Sequence, residues 1–403
     1  MAKNILYLCP SFPYPADNGG KVVFLNHINF LKKNGFKLHA VFFDVDDNVT
    51  ELQKQQLDSF GFESYKVFSR VVPRVNDLKT LVASLFYFIS SKKPRAYMAR
   101  INTQLQNYVL HLLNTYKFDY VLFDHFTAFA FINSFKYLKG IKMIYIAHNV
   151  ESKVIADQFK LEHSPVKKLF YYAEYLKTKE VEKEILQNAT VTITISSQDY
   201  KTLKRDFIIS GLIENIPEIL PLRTELWQYK QTKNILFVGG TDYYPNYDAV
   251  KWLVFTLMPD LNKIDKNIIC TIVGNADNFK REGLNDNILF TGRISDDELE
   301  NLYKSANLFV SPVVLGSGIK VKVLTALSYG IPVLCTKESM HGIDYIDNQE
   351  QLLFDRNLPN KAVARIMELL TDEANQIQMS ASIKRSMENS LNAISSKWAL
   401  NNV

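Results

Sequence analysis

Ser311-Pro312-Val313-Val314-Leu315-Gly316-Ser317-Gly318-Ile319-Lys320-Val321-Lys322-Val323-Leu324-Thr325-Ala326-Leu327-Ser328-Tyr329-Gly330-Ile331-Pro332-Val333 is the stretch that decides the fold. The apolar run Leu308-Phe309-Val310 before it reads as a strand, and Gly316 and Gly318 open a loop. Ile319, Val323 and Leu327 then recur at helical spacing. A strand running through a glycine loop into a helix leaves the helix N-terminus at the carboxyl edge of the sheet. There the free N–H groups and the helix dipole attract an anion, and glycines let a phosphate approach the backbone closely. Lys320 and Lys322 add point charges, and Arg293, after the run Ile288-Leu289-Phe290, offers a guanidinium fork. A diphosphate suits such a place. A purely structural turn is the other reading of the same residues.

Outward from that loop, Ile235-Leu236-Phe237-Val238, Ile268 to Val273, and Ile331-Pro332-Val333-Leu334 are further short apolar runs with helical stretches between them. The first half follows the same logic with Asn4 to Cys9, Lys37 to Phe43, Tyr120 to Phe123, Met143 to Ala147 and Val191 to Ile195. Strand and helix in alternation predict parallel sheets covered on both faces. The pattern pauses at Ile219-Leu220-Pro221-Leu222, which places the domain boundary there. The expected fold is α/β, with two Rossmann-like, doubly wound domains facing across a cleft at the carboxyl ends of their strands. The first spans residues 1–222 and the second 223–385, and a C-terminal helix over 386–403 crosses back to the first.

With 403 residues, 47% hydrophobic and 22% charged, the chain has the balance of two globular domains rather than of a disordered chain or a coiled coil. Cys9, Cys270 and Cys335 lie too far apart for a metal knuckle and are too few for a disulfide framework, which predicts a reducing, cytoplasmic setting. No secretory leader or transmembrane helix is expected. A net charge of +5 without a dense basic block gives no nucleic-acid footprint. Lys79, Lys92, Lys93, Arg95 and Arg100 flank the apolar segment Leu81 to Ile89, which reads either as a core helix with a basic end or as a peripheral contact with a membrane surface.

In the first half, Asp124 and His125 end one strand, and His148-Asn149-Val150-Glu151 follow the next, so both histidines are expected at the cleft rim. Asp124 is read as orienting His125 or an acceptor hydroxyl, and Glu151 as reacting or as anchoring the next helix. Gly19-Gly20-Lys21 forms a second N–H-rich turn at a helix start. Asp242, Asn246 and Asp248 are spaced oxygen ligands but lack the mid-loop glycine and far glutamate of a calcium loop, so no metal site is expected; Asp242 and Asn246 are read as shaping their loop, Asn246 as a turn and cap residue.

The run Gly316 to Val333 resembles the donor-site signature of GT-B glycosyltransferases of family four, the group 1 type, in the branch with a Gly-x-Gly-x-Lys-x-Lys loop. Phe237 to Trp252, with Gly239, Gly240 and Asp242, looks like the segment that opens the donor domain in that branch. Pro13 to Gly20 looks like its acceptor-side glycine loop. The resemblance implies transfer of a sugar from a nucleotide diphosphate, with retention of configuration and without a metal or other cofactor. It places Gly19, Gly20, Gly239, Gly240, Asp242, Arg293, Gly316, Ser317, Gly318, Lys320, Lys322 and Thr325 at the donor. Asp124, His125, His148, Asn149 and Glu151 fall at the acceptor or sugar, and His125, Lys322 and Arg293 carry catalysis. Many relatives have two glutamates seven residues apart around this loop; here those positions hold Ser317 and Thr325. A hydroxyl bonds a ribose more weakly than an ionised acceptor does.

The expected partners are thus a nucleotide sugar and a glycan or lipid-linked acceptor in surface polysaccharide assembly. The loss of both glutamates leaves a second reading, a catalytically silent sugar-nucleotide-binding or scaffold subunit of a polysaccharide assembly complex. A GT-B epimerase or phosphorylase is a third, although nothing marks a phosphorylase cofactor.

Overall fold

The computed structural model describes residues 2–16, 18–44, 49–69, 82, 86–279, 286–316, 318–395 and 397–399. Ser317, Lys79, Leu81 and residues 83–85 of the apolar segment lie outside them. The chain divides into two compact units, one of Met1–Ile216 with Ser395–Val403, the other of Pro217–Ile394.

Unit 1 is built on seven strands: β1 (Asn4–Cys9), β2 (Lys37–Asp44), β3 (Ser64–Ser69), β4 (Tyr120–Asp124), β5 (Lys142–Ala147), β6 (Val191–Thr194) and β7 (Leu212–Asn215). Their order is β3-β2-β1-β4-β5-β6-β7, and every neighbouring pair is parallel. The central strands are buried on both faces, Ile5 to Cys9 completely, which is why they read as unbroken apolar runs rather than as alternating ones. The helices are α1 (Gly19–Lys33), α2 (Glu51–Asp58), α3 (Arg95–Met98), α4 (Thr103–Thr115), α5 (Glu151–Leu161), α6 (Pro165–Asn188) and α7 (Ser197–Asp206). The chain leaves β1 toward β2 and returns on the other side as β4, so the strand order reverses between β1 and β4. In an open parallel sheet that reversal opens a ligand crevice at the carboxyl ends of the two strands.

Unit 2 repeats the plan with β8 (Asn234–Val238), β9 (Ile269–Val273), β10 (Ile288–Gly292), β11 (Leu308–Ser311) and β12 (Val333–Cys335) in the order β10-β9-β8-β11-β12, again all parallel. Its helices are α8 (Tyr244–Trp252), α9 (Met258–Ile264), α10 (Asp296–Ser305), α11 (Val321–Tyr329), α12 (Pro359–Thr371) and α13 (Glu373–Ser395). The order reverses between β8 and β11, the two strands whose following loops carry the glycines singled out in the sequence.

Several details differ from the sequence reading. Strands β3 and β7 are edge strands with mixed exposure and give no apolar run to detect. The last strand begins at Val333, after Pro332, which has no N–H to give to a ladder. The first unit ends at Ile216 rather than at residue 222, because Ile219 and Leu220 are buried and fall in unit 2. Helix α13 stays with unit 2 until Ile394, and the return to unit 1 begins at Ser395 rather than at residue 386. That return is anchored by Trp398, 1% exposed, whose indole stacks on Phe30 at 5.8 Å and tilts over His27 at 5.1 Å. Among the described residues no helix is long and apolar enough to cross a membrane.

Candidate active site

In unit 2, Gly316 and Gly318 have φ of 84° and 79°, the left-handed region where a Cβ is strained, and they turn the chain from β11 into α11. Lys320 precedes the helix, and no side chain caps its first turn. The Lys320 ammonium donates to the carbonyls of Gly316 (2.7 Å) and Gly318 (2.9 Å), clasping the loop that precedes the N–H groups. Lys322 points back to β8: its Nζ lies 4.5 Å above the Phe237 ring and donates to Asn246 Oδ1 at 2.5 Å. The Asn246 amide in turn donates to the Gly240 carbonyl at 2.9 Å. Gly239 makes room for this packing, since a Cβ there would meet Lys322 Nζ at 2.5 Å. Burial pushes the Lys322 ammonium down to about 7, with the Lys320 charge adding to the effect, and burial brings Lys320 to about 8. Two ammonium groups beside a helix N-terminus make a place suited to an anion.

Of the other donor-side residues, Arg293 is exposed just beyond β10. Asp242 is exposed and accepts from the Asn275 amide at 3.3 Å. Thr325 donates its hydroxyl to the Val321 carbonyl at 3.0 Å, so its proton is committed to the helix and only its lone pairs remain to accept. Asn246 holds its loop but caps nothing; the α8 N-cap is Tyr243, without a side-chain bond. Asp248 pairs with Arg356 at 2.5 Å, a fixed partner that gives it a structural role.

In unit 1 the sequence-predicted residues gather at the ends of β4 and β5. Asp124 is completely buried and does not orient His125. It accepts instead from His148 Nε2 at 2.6 Å, from His27 Nδ1 at 2.8 Å and from the Tyr7 hydroxyl. Burial raises the Asp124 carboxyl, but His27 and His148 outweigh it and hold the group below the usual carboxylate range. Among the described residues His27, Asp124 and His148 are the one trio whose ligating atoms come within 4.8 Å of one another, as a metal site needs; here hydrogen bonds join them.

His125 sits beside this trio, its ring 5.1 Å from that of His148, with a backbone φ of 89°. Its Nδ1 accepts the Thr127 N–H at 3.1 Å, which leaves the proton of the neutral ring on Nε2, 3.3 Å from Glu151 Oε1. Burial pushes the imidazole well below the usual histidine range, and the neighbouring His148 and Arg100 act in the same direction. Glu151 is pushed up to about 7 by burial, against a 3.4 Å hydrogen bond from Asn149. Glu151 begins α5 but does not cap it. The cap is Glu182 of α6, which accepts from the N–H groups of Glu151 (2.8 Å) and Ser152 (3.2 Å) and from the Ser152 hydroxyl (2.5 Å). Gly19 and Gly20 open α1, where Asn18 already accepts the Lys21 N–H at 3.2 Å. Tyr7, His27 and Glu182 escaped the sequence reading; each stands alone in the sequence, without a motif around it.

Both constellations lie where strand order reverses in a parallel sheet, and the pair of units is the architecture of the GT-B glycosyltransferases. Solved structures that share it include sucrose-phosphate synthase from Thermosynechococcus elongatus (TM-score 0.66, 14% identity, 98% of this chain and 97% of that one). Anabaena HepE in complex with UDP-glucose is another (TM-score 0.62, 11% identity, 99% and 100%). Residues 232–372 match the family model "glycosyl transferases group 1", a span that contains every residue of unit 2 placed in the site above. A Klebsiella pneumoniae relative, an uncharacterized 44.6 kDa protein in the cps region, is 24% identical over 375 residues, 89% of this chain and 91% of its own length.

Proposed function

We propose that the protein is a retaining glycosyltransferase that moves a hexose from a nucleotide diphosphate, held by unit 2, to a glycan or lipid-linked saccharide, held by unit 1, in surface polysaccharide assembly. The observation that carries this reading is the N-terminus of α11 with Lys320 and Lys322 beside it. As the bond from the anomeric carbon to the phosphate oxygen breaks, its electron pair moves onto the diphosphate. The N–H groups, both ammonium groups and Arg293 hold that growing charge without a metal. The acceptor oxygen bonds the anomeric carbon on the face the phosphate leaves, and the acceptor proton passes to a phosphate oxygen. His125, as a neutral Nε2–H donor, positions the sugar. Support for the setting comes from the cps-region relative.

A contact with the cytoplasmic membrane surface belongs to the same reading. Phe86, Ile89, Leu161, Val166 and Leu169 expose 67–80% of their surfaces, and Lys92, Lys167 and Lys168 are exposed among them. Phe88 packs on Phe170 at 4.9 Å, which joins helical residues 86–90 to α6. An apolar surface edged by cations suits anionic lipid.

Thermal shift and calorimetry against UDP, GDP, ADP, CMP and their sugar conjugates, with and without magnesium, test the transferase reading. Stabilisation by one nucleotide in the absence of metal is the expected result; no response to any of them would sink it.

A further inference from the structure

A cavity of about 530 Å³ opens in unit 1 between α3, α5 and α6, with Glu151 at its edge, a size typical of small-ligand sites. Glu174 lines it and is 5% exposed. One of its carboxylate oxygens accepts the Arg95 N–H at 2.8 Å; the other, Oε1, is buried with no hydrogen-bond partner. A buried acceptor without a donor is costly, and a ligand hydroxyl would satisfy it. The Arg95 guanidinium lies 5.9 Å over the ring of Phe170, which lines the cavity with Phe126 and Tyr171. Arg100 is held at the wall by the carbonyls of Pro10 (3.3 Å) and Ala96 (3.2 Å).

We infer that this cavity seats a neutral pyranose ring of the acceptor, an assignment that rests on the transferase reading above. Each hydroxyl of a sugar both donates and accepts, and the lining presents acceptor oxygens at Glu174 and Glu151 together with the guanidinium groups of Arg95 and Arg100. The apolar face of the ring lies on the aromatic side chains. An acidic sugar is disfavoured, because its charge would stand against the buried Glu174 carboxylate, whereas the Arg95 charge is exposed and screened by water and Arg100 already donates to the Pro10 and Ala96 carbonyls. The position beside Glu151, which faces His125 at 3.3 Å, puts the ring next to the histidine assigned to the sugar.

Saturation-transfer NMR on the full chain, with glucose, galactose, N-acetylglucosamine, glucuronate and glucose 1-phosphate as probes, tests the inference. At least one neutral sugar should bind, tighter than both anionic probes. Glu174→Gln, which keeps an acceptor for the Arg95 N–H, and the exposed-site change Arg95→Ala should each weaken it at least fivefold while the chain still unfolds in a cooperative transition. Tighter binding of an anionic probe, no binding of any probe, or parent-like affinity in both variants would overturn it. Nucleotide titrations of the same samples separate the two readings. A nucleotide response without sugar binding leaves the transferase standing and removes this cavity from it. Variant-sensitive sugar binding without a nucleotide response does the reverse.

Discussion

The carboxylate of Glu182 accepts the backbone N–H of Glu151 at 2.8 Å from 31 positions further along the chain, so α6 caps the helix whose first residue faces His125. A buried acid is thereby spent on fixing the place of another. Glu182→Ala leaves two N–H groups and a hydroxyl without their acceptor and should lower stability by about 2–3 kcal/mol in urea unfolding. Burial raises the Glu182 carboxyl to about 8, so between the ordinary value of 4.5 and about 8 the folded chain holds a proton that the unfolded chain has lost. Stability from this group therefore falls as pH rises through that window, and Glu182→Gln should flatten the slope. An unchanged slope in the glutamine variant would mean the group does not titrate there.

His125 has the left-handed φ of 89° without being glycine, a conformation that costs about 1–3 kcal/mol. His125→Gly should therefore be more stable than His125→Ala by about 1 kcal/mol, the reverse of the usual order, while both lose transfer activity. Equal stabilities would show that the backbone is not strained.

Because its Nδ1 accepts from Thr127 and its surroundings disfavour charge, the His125 ring should stay neutral as the Nε2–H tautomer. Nitrogen-15 NMR should show one tautomer and no titration from about pH 5.5 to 8, the span in which an ordinary histidine changes charge. A midpoint near 6.5 would contradict the geometry.

An ammonium brought down to about 7 is mostly neutral at pH 8.5, and a bound diphosphate restores its charge. Nucleotide binding at that pH should take up more than one proton, nearly a whole one at Lys322 and a smaller share at Lys320, which burial brings to about 8, seen as heats that vary with the buffer's ionisation enthalpy. Lys322→Ala should abolish most of that dependence and weaken binding at least tenfold, as expected for loss of one charge-assisted contact of about 1.5–3 kcal/mol. Buffer-independent heats in the parent would take Lys322 out of the phosphate site.

Thr325→Glu restores the acceptor that many group 1 relatives place here and frees the Val321 carbonyl from the threonine hydroxyl. Tighter nucleotide binding is the expected effect, read by calorimetry. Weaker binding would show that this helix is fitted to a different ribose pose.

How much of this was legible in the chain depended on how far apart the partners lie. The loop from Gly316 to Lys322 could be read directly, since an N–H-rich turn and its lysines are contiguous. The alternation of strand and helix gave both parallel sheets for the same reason. Lys322 already drew attention as a charge, but its seat on Phe237 and Asn246 joins residues 76 positions apart in the latter case. Asp124 was singled out with the wrong partner: its bonds to His27 and Tyr7 span 97 and 117 positions, and nothing local distinguishes it from a residue serving its neighbour His125. The edge strands β3 and β7 were missed because one open side leaves them without the apolar run that marks a central strand.

The chain passes from unit 1 to unit 2 once, after Ile216, and comes back once, at Ser395, where Trp398 lodges against α1. Unit 2 is therefore a single uninterrupted cassette set inside unit 1, whereas unit 1 is written in two pieces. Replacing residues 217–394 with the same span of a relative exchanges unit 2 whole and leaves the aromatic clasp intact, while a fusion or cut at the extreme C-terminus, far along the sequence, disturbs the half that begins with the first strand.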